Sequence, residues 1–279
     1  QEREAKAAKG TEGDPDYEPA VEPQEAIAAN VYGPVTVTVN GGTATNVFGC
    51  NNLNGSPQQG VVVNITGGTV NQDVFGGGHM ADAIGQITVN MQGGIVRRDV
   101  YGGGALASTN KGYRTVTGLT TGTSVVTGYY TKSGNDYTLI TASDAKASDG
   151  ITYYVHNTTT VSLTGGKVGN AYSGGLGDAT TPAYVWGEVK VDVNGTMFTQ
   201  TYQDYKNADN TNIPKTGQVF GCNNINGSPK GNVTVHVHKT VVRNDEGTES
   251  GKPTKKSGTY ELLAVYGGAS IEPQIRALK

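Results

Sequence analysis

VVVNITGGTVNQDVFGGG (residues 61–78) and ITVNMQGGIVRRDVYGGG (residues 87–104) carry one pattern twice. Each stretch has alternating apolar and polar residues, a Gly-Gly pair, a valine and an aspartate, and then Val, an aromatic residue and three glycines. The second stretch begins 26 residues after the first (87 − 61). A fixed period of this length is typical of proteins built from stacked repeat units.

Further copies lie on both sides of this pair, and each has an alternating run followed by an aromatic-glycine element. They are VTVTVNGGTATNVFGC (35–50), TTVSLTGGKVGNAYSGG (159–175), VKVDVNGT (189–196) with QVFGC (218–222), and VTVHV (233–237) with AVYGG (264–268). The residue before the aromatic position recurs at intervals of 27, 26, 71, 48 and 46, at Val47, Val74, Val100, Ala171, Val219 and Val265. The first two intervals are single units, and the longer ones indicate a unit with an insertion.

The alternating run in each unit predicts a short strand with one face toward a core. In ITVNM, Ile87, Val89 and Met91 are predicted to point inward, and Thr88 and Asn90 outward. The alternative is a β-sandwich of antiparallel hairpins, but nothing in a sandwich requires a repeated pattern to return in register. The sequence therefore predicts an all-β protein, a single-stranded parallel β-helix (solenoid) of about six coils of ~26 residues with a β-hairpin insertion.

The domain organisation follows from the extent of the repeats. Residues 1–29 contain eight acids and three bases and are predicted to be a flexible linker. Residues 30–270 are the predicted repeat domain, and 271–279 form a short tail. Insertions are predicted at about 110–156, 197–217 and 242–260. The first is rich in Thr and Tyr, and Ser-Gly-Asn-Asp at 133–136 is predicted to be its hairpin turn.

Composition excludes several classes of protein. Glycine supplies 42 of the 279 residues, about twice its average share, but without the period of collagen. The net charge is −3, from 24 acids and 21 bases, so no nucleic acid partner is predicted. No stretch approaches the ~20 apolar residues of a membrane helix, so no membrane insertion is predicted.

A ladder of polar side chains is expected just before the repeated Val-aromatic-Gly element. The residues at this position are Asn46, Asp73, Asp99, Asn170, Gln218 and Ala264. Stacked Asp73 and Asp99 would repel each other unless one binds a proton or a cation lies between them. One interpretation is a cation site, and the other is a pair of exposed aspartates that cap turns.

If the protein is an enzyme, Asp73 and Asp99 are the candidate catalytic carboxylates. Asp178 with Asp192 is a second candidate pair. Arg97 or Arg98 would stabilise charge beside the carboxylates.

Aromatic residues form a second ladder, one position after the valines. They are Phe48, Phe75, Tyr101, Tyr172, Phe220 and Tyr266. Rings in register either stack inside the core or form a platform for sugar rings. Both interpretations stay open from sequence alone. Asn54 and Asn226 are further candidate ligand-binding residues, because each begins an Asn-Gly-Ser-Pro phrase that is either a repeated corner or a duplicated recognition loop.

The cysteines and histidines give weaker indications. Cys50 and Cys222 take the same position in units four steps apart, roughly 19 Å at ~4.8 Å per step, so two free, buried thiols are predicted instead of a disulfide. His236 and His238 alternate on one strand, a spacing that can ligate a metal, but no third ligand is evident. The sequence therefore predicts neither a metal site nor a cofactor.

These tandem units, reading roughly TVNITGG-V-DVFGGG, resemble the glycine-rich repeats of large secreted or surface proteins of gut Bacteroidetes. They are also similar in kind to the β-helical passenger regions of autotransporter adhesins. The resemblance covers about residues 30–270 without the insertions, and it implies a secreted or cell-surface bacterial location. It implies a structural or binding segment of a larger protein, an adhesin or a stalk.

Two functions therefore remain in view. The expected one is the adhesin or stalk, with a glycan or a host surface protein as partner and neighbouring domains of the same chain beside it. The alternative is a polysaccharide lyase or glycoside hydrolase of the β-helix type.

Overall fold

The described part of the molecule consists of β-strands and the loops that join them. The computed structural model describes residues 9, 28–110, 129–133, 136–140, 153–154, 158–200, 202–206, 212–240 and 262–268. Within these ranges every regular element is a strand, so the predicted all-β class is confirmed. No helix in the same ranges has the length and apolar character needed to cross a lipid bilayer.

Nine strands form one sheet, which we call the large sheet. They are β1 (Val35–Ala44), β3 (Val61–Val70), β5 (Ile87–Met91), β6 (Ile95–Val96), β11 (Thr158–Leu163), β12 (Lys167–Val168), β14 (Glu188–Asn194), β15 (Met197–Phe198) and β19 (Val233–Lys239). Their order is β15-β12-β6-β3-β5-β11-β14-β19, and β1 also pairs with β3. All of these pairings are parallel.

Six short strands form a second parallel sheet, which we call the small sheet. In the order of the sheet they are β2 (Val47–Phe48), β4 (Val74–Phe75), β7 (Asp99–Tyr101), β13 (Asn170–Tyr172), β18 (Gln218–Phe220) and β20 (Ala264–Tyr266). Each contains one copy of the repeated Val-aromatic or Ala-Tyr pair.

Residues that are one sequence repeat apart are direct pairing partners in both sheets. Val61 pairs with Ile87 in the large sheet, and Val74 pairs with Val100 in the small sheet. The same register holds across the 71-residue interval between Val100 and Ala171, which also pair with each other. Equivalent positions of successive units therefore lie one strand apart, which places their side chains about 4.8 Å from each other.

The predicted single-stranded parallel β-helix of about six coils is nevertheless wrong. The described strands form a curled half-barrel and a second parallel sheet. The physical reason lies in the Gly-Gly pair, which does not end the strand. β3 runs through Gly67 and Gly68 without ending, pairs with β5 through Val61–Ile65 and with β6 through Thr69–Val70, and so joins two arms into one sheet.

Backbone geometry at the Gly-Gly pairs permits this curl. Gly68, Gly94 and Gly166 have φ angles of 70–74°. These angles lie in the left-handed region, which a residue with a Cβ adopts only at a cost. The second glycine of each pair therefore bends the sheet at the same height in successive units.

The apolar core includes side chains of both sheets. Ile87, Val89 and Met91 are buried and alternate with half-buried Thr88 and Asn90, as predicted. They belong to one cluster with the valines of the small sheet, such as Val74 and Val100. The strands of the large sheet therefore have an inner apolar face and an outer polar face.

Glycine follows the aromatic residue because this position touches the core of the large sheet. A Cβ on Gly76 would lie 2.4 Å from the Gly102 carbonyl oxygen and 2.4 Å from Ile87 Cγ2. Gly49, Gly102 and Gly221 meet equivalent side chains. The glycine ladder thus brings the two sheets close together.

Shorter antiparallel elements lie in two of the inserted segments. β8 (Tyr129–Ser133) pairs with β9 (Asp136–Ile140) and with β10 (Tyr153–Tyr154). β16 (Tyr202–Lys206) pairs with β17 (Asn212–Pro214). The predicted insertion 242–260, the tail 271–279 and nearly all of the acidic segment 1–29 lie outside the described residues.

Candidate functional site

The aromatic ladder is a continuous stack of six rings. Phe48, Phe75, Tyr101, Tyr172, Phe220 and Tyr266 follow one another with centroid separations of 4.7–5.0 Å and interplanar angles of 3–10°. The separations match the spacing of adjacent strands, so the small sheet itself sets the stack.

Burial decides between the two interpretations of this ladder. Phe75, Tyr101, Tyr172 and Phe220 are at most 4% exposed. They form a cluster with Ala105, Leu106 and Leu176 from the loops that follow the small-sheet strands. These four rings offer no face to a sugar and belong to a second core. Phe48, at one end of the stack, is half-buried, and Tyr266, at the other end, is 43% exposed.

The polar ladder is held by a repeated backbone contact. The N–H of Asp73 donates to Asn46 Oδ1, that of Asp99 to Asp73 Oδ1, that of Asn170 to Asp99 Oδ1, and that of Gln218 to Asn170 Oδ1. All four distances are 3.1 Å. Each side chain therefore accepts the N–H of the residue one unit further along, and an oxygen at this position satisfies a backbone donor in the sheet.

Two neighbouring carboxyl groups in this ladder have an unusual electrostatic environment. Burial, and then the charge of Asp99, raise the pKa of Asp73 to about 6, against the lowering effect of the Arg98 guanidinium 3.4 Å away. Burial also raises the pKa of Asp99, although Asn170 and Tyr101 donate hydrogen bonds to it. Proton binding by one member relieves the repulsion that the sequence predicted.

The same environment makes the pair a poor catalytic dyad. Asp73 is 4% exposed and Asp99 is 9% exposed. Glycoside hydrolysis needs two carboxyl groups that reach the glycosidic oxygen and the anomeric carbon. Here both groups are occupied by backbone and side-chain donors of the sheet. Arg98 lies beside Asp73, whereas Arg97 donates to Asn71 Oδ1.

The other predicted acid pair is divided between two settings. Asp178 lies in the loop after β13, where the N–H groups of Thr180 and Thr181 hold its pKa below the ordinary value. Asp192 lies on the outer face of β14. Partial burial acts to raise the pKa of Asp192, but Lys190, followed by His238 and His236, outweighs it and the net shift is downward. The two carboxylates have separate partners and do not act as one dyad.

The two Asn-Gly-Ser-Pro phrases form similar corners. Just before them, the Nδ2 groups of Asn51 and Asn223 each donate to the carbonyl three residues ahead, that of Asn54 or Asn226. Each also donates to an alanine carbonyl of the preceding unit. Pro57 and Pro229, at the ends of the two phrases, form equivalent parallel bridges with Val31 and Val185.

The predicted binding residues at these corners have structural contacts. Asn54 and Asn226 are half-buried, and Asn226 Nδ2 donates to the Asp178 carbonyl at 2.8 Å. The repetition of the phrase is accounted for by a corner that the chain turns twice.

Both cysteines are free, as predicted, but they are half-buried where full burial was expected. Burial raises the pKa of the Cys50 thiol to about 12 and also raises that of Cys222. Cys50 Sγ lies 3.5 Å from the Gly76 carbonyl oxygen and packs against the core. A thiol with so high a pKa is a weak nucleophile at neutral pH.

The outer face of the large sheet holds a polar cluster that the sequence reasoning missed. His236 and His238 share it with Asp192, which lies on the adjacent strand. The sequence signal was present, because Asp192 in VKVDV and His236 in VTVHV take the same position of successive units. Finding the cluster required applying the repeat register to the outward-facing residues.

Comparison with known proteins yields no relative: no family model matches the chain, and neither a curated protein nor a solved structure matches it.

Proposed function

We propose that this chain is a structural or binding segment of a larger secreted or cell-surface bacterial protein, working as a stalk or an adhesin. One observation carries the proposal: the repeated polar and aromatic side chains are used to hold one unit to the next. The Asp73–Asp99 pair bonds to backbone N–H groups of the sheet, and four rings of the aromatic ladder are buried.

The outer face of the large sheet supports the binding part of this proposal. One row along it consists of Thr38, Asn64, Asn90, Ser162, Asp192 and His236, each paired in register with the next. Asn90 Nδ2 donates to Asn64 Oδ1 at 2.9 Å, so the amides are fixed. A fixed row of hydroxyl and amide groups at strand spacing can hydrogen-bond to the hydroxyls of an extended glycan.

The enzymatic alternative has less support. It requires the Asp73–Asp99 pair to reach substrate, and their burial opposes this. We place a polysaccharide lyase or glycoside hydrolase activity second for this reason.

The test is to incubate the protein with a panel of plant and host polysaccharides. Retention on immobilised glycan and new reducing or unsaturated ends are read from the same samples. Retention without new ends supports the adhesin, and no signal in either assay supports the stalk. New ends that disappear in the Asp99→Asn variant would overturn the proposal and establish the enzyme.

A double variant, Asn64→Ala with Asn90→Ala, locates any retention. It removes the paired amides of the outer row while the inward valines stay. The control is Lys167→Ala, which changes a half-buried residue of β12 elsewhere in the large sheet. Retention that falls in the double variant and persists in the control assigns binding to the outer row.

A further inference from the structure

The cluster on the outer face follows from the pairing of two strands. β14 and β19 are parallel, and Asp192 is the direct partner of His236. Val191 and Val193 are buried on the inner face, so Asp192 points outward. His236 and His238 are two residues apart on β19 and therefore share a face of that strand.

The three side chains converge on a small volume. His236 Nδ1 lies 3.3 Å from Asp192 Oδ1, and His238 Nε2 lies 3.4 Å from the same oxygen. One nitrogen from each ring and this oxygen all lie within 4.8 Å of one another. The two rings are edge to face, with centroids 5.6 Å apart.

These separations fit a first-row metal ion. Zinc binds imidazole nitrogen and carboxylate oxygen at about 2.0–2.2 Å, so two ligands of a tetrahedral ion lie roughly 3.4 Å apart. The two Asp–His separations have this length already. Only the remaining His–His edge has to shorten, and rotation of two exposed rings allows that. We propose that Asp192, His236 and His238 form a binding site for a late first-row divalent cation such as zinc.

The donor set defines the class of ion. Two imidazoles and one carboxylate suit zinc, nickel and copper, whereas calcium and magnesium prefer oxygen ligands throughout. The histidines are 52% and 56% exposed, so water completes the coordination. The site therefore has three protein ligands and at least one exchangeable position.

Lys190 lies beside this site and lowers its affinity for a cation. Its Nζ lies 2.7 Å from Asp192 Oδ2, the oxygen that does not face the imidazoles. This contact orients the carboxylate and leaves Oδ1 toward the metal position. It also places a positive charge near the ion, which weakens binding.

A bound ion would join the last large-sheet strand of the described residues to its neighbour. Its ligands come from positions 44 residues apart (236 − 192), so the unfolded chain has no preformed site. Binding to the folded state alone shifts the unfolding equilibrium toward the native protein.

The test is calorimetric titration of the full chain with zinc chloride at about pH 7.5, where imidazole is mostly neutral. We expect one zinc ion at this site. The affinity falls at least about tenfold in each of His236→Ala, His238→Ala and Asp192→Asn, because each removes a ligand. Lys190→Gln raises the affinity several-fold through the loss of a nearby positive charge. The matched control is His79→Gln, since His79 contacts Asn52 outside the cluster and its variant keeps the wild-type affinity.

Cobalt absorption provides an independent readout. Cobalt in this nitrogen and oxygen set gives visible bands that disappear in Asp192→Asn. Circular dichroism of each variant checks that the sheets remain folded. The proposal is overturned if zinc does not bind, or if folded variants of all three ligands bind it as the wild type does.

Discussion

Residues at equivalent positions of successive units form two groups of ionisable side chains, and the two groups differ in their chemistry. Asp73, just before β4, and Asp99, the first residue of β7, are neighbours at the small sheet, and Asp192 and His236 lie on adjacent strands of the large sheet. The first pair is nearly inaccessible and accepts hydrogen bonds from the backbone. The second pair lies on an outer face, with the Asp192 oxygen between two exposed imidazoles.

The difference between the two groups is burial and the kind of side chain that lies beside the carboxyl group. In the small sheet, burial raises the pKa of both carboxyl groups, and the charge of Asp99 adds to the rise for Asp73. In the large sheet, the equivalent step places an imidazole beside a carboxylate. The repeat therefore places side chains of successive units next to each other along both sheets. Solvent access decides which of these neighbouring side chains can bind a ligand.

The largest effect is expected from removing a ring of the buried stack. Phe75→Ala should lower the free energy of unfolding by about 3–5 kcal/mol, because it leaves a cavity between Phe48 and Tyr101. Tyr266→Ala is the matched control at the exposed end of the stack, with an expected loss of about 1 kcal/mol. Urea unfolding measures both. Equal losses would mean that the stack is not a core.

A smaller loss is expected where the two sheets meet. Gly76→Ala introduces a Cβ that contacts the Gly102 carbonyl and Ile87, so the free energy of unfolding should fall by about 2–3 kcal/mol. Gly41→Ala meets no atom within 4 Å and should change it by less than about 0.5 kcal/mol. Thermal melting of the two variants compares them. A Gly76→Ala protein as stable as Gly41→Ala would contradict the close approach of the sheets.

The pH dependence of stability tests the buried carboxyl pair. The pKa of Asp73 is raised from 3.8 to about 6. Its stabilising contribution is therefore fully present below the unfolded value and is lost as the pH rises through the folded value. Asp73→Asn keeps the oxygen that accepts the Asp99 N–H and cannot ionise. It should be more stable than the wild type at about pH 7.5, by on the order of 1 kcal/mol.

Melting temperatures between about pH 4 and pH 7.5 measure this effect, and the variant should show the flatter profile. Asp82→Asn is the control for loss of one carboxylate outside the ladder. A wild-type protein that gains stability over this range relative to Asp73→Asn would contradict the sign of the raised pKa.

The smallest effect is expected at the outer face without metal. Asp192→Asn and His238→Ala should each change the free energy of unfolding by less than about 1 kcal/mol, because the ion pairs that they remove lie at the surface of the sheet. Added zinc should raise the melting temperature of the wild type and leave that of Asp192→Asn unchanged. A large loss in metal-free protein would show that the cluster supports the fold instead of binding an ion.

The sequence predicted the features that depend on the period alone. The inward Ile87, Val89 and Met91 are an example, and so is the aromatic ladder of which Tyr101 is part. A residue and its equivalent in the next unit stack wherever the register holds. The period says nothing about the path between strands, so the curl through Gly67 and Gly68 was missed and the fold was wrongly predicted as a single-stranded β-helix.

The candidate site was predicted less well than the strands. The sequence paired His236 with His238 but named Asp192 only as a partner of Asp178, because Asp192 is 44 residues from His236 and adjacent to it only through the pairing of β14 with β19. It also could not decide whether rings such as Tyr172 face a core or a ligand. Whether a ring is buried depends on loop residues that pack against it, such as Leu176, and these residues lie outside the repeated pattern.

The most direct test of the account is a crystal structure of the protein grown with zinc, with anomalous diffraction collected at the zinc absorption edge. We expect an anomalous peak between Asp192, His236 and His238, and none between Asp73 and Asp99. A peak at the aspartate pair, or no peak at the histidine cluster in zinc-soaked crystals, would contradict the claim that solvent access separates the structural ladder from the binding surface.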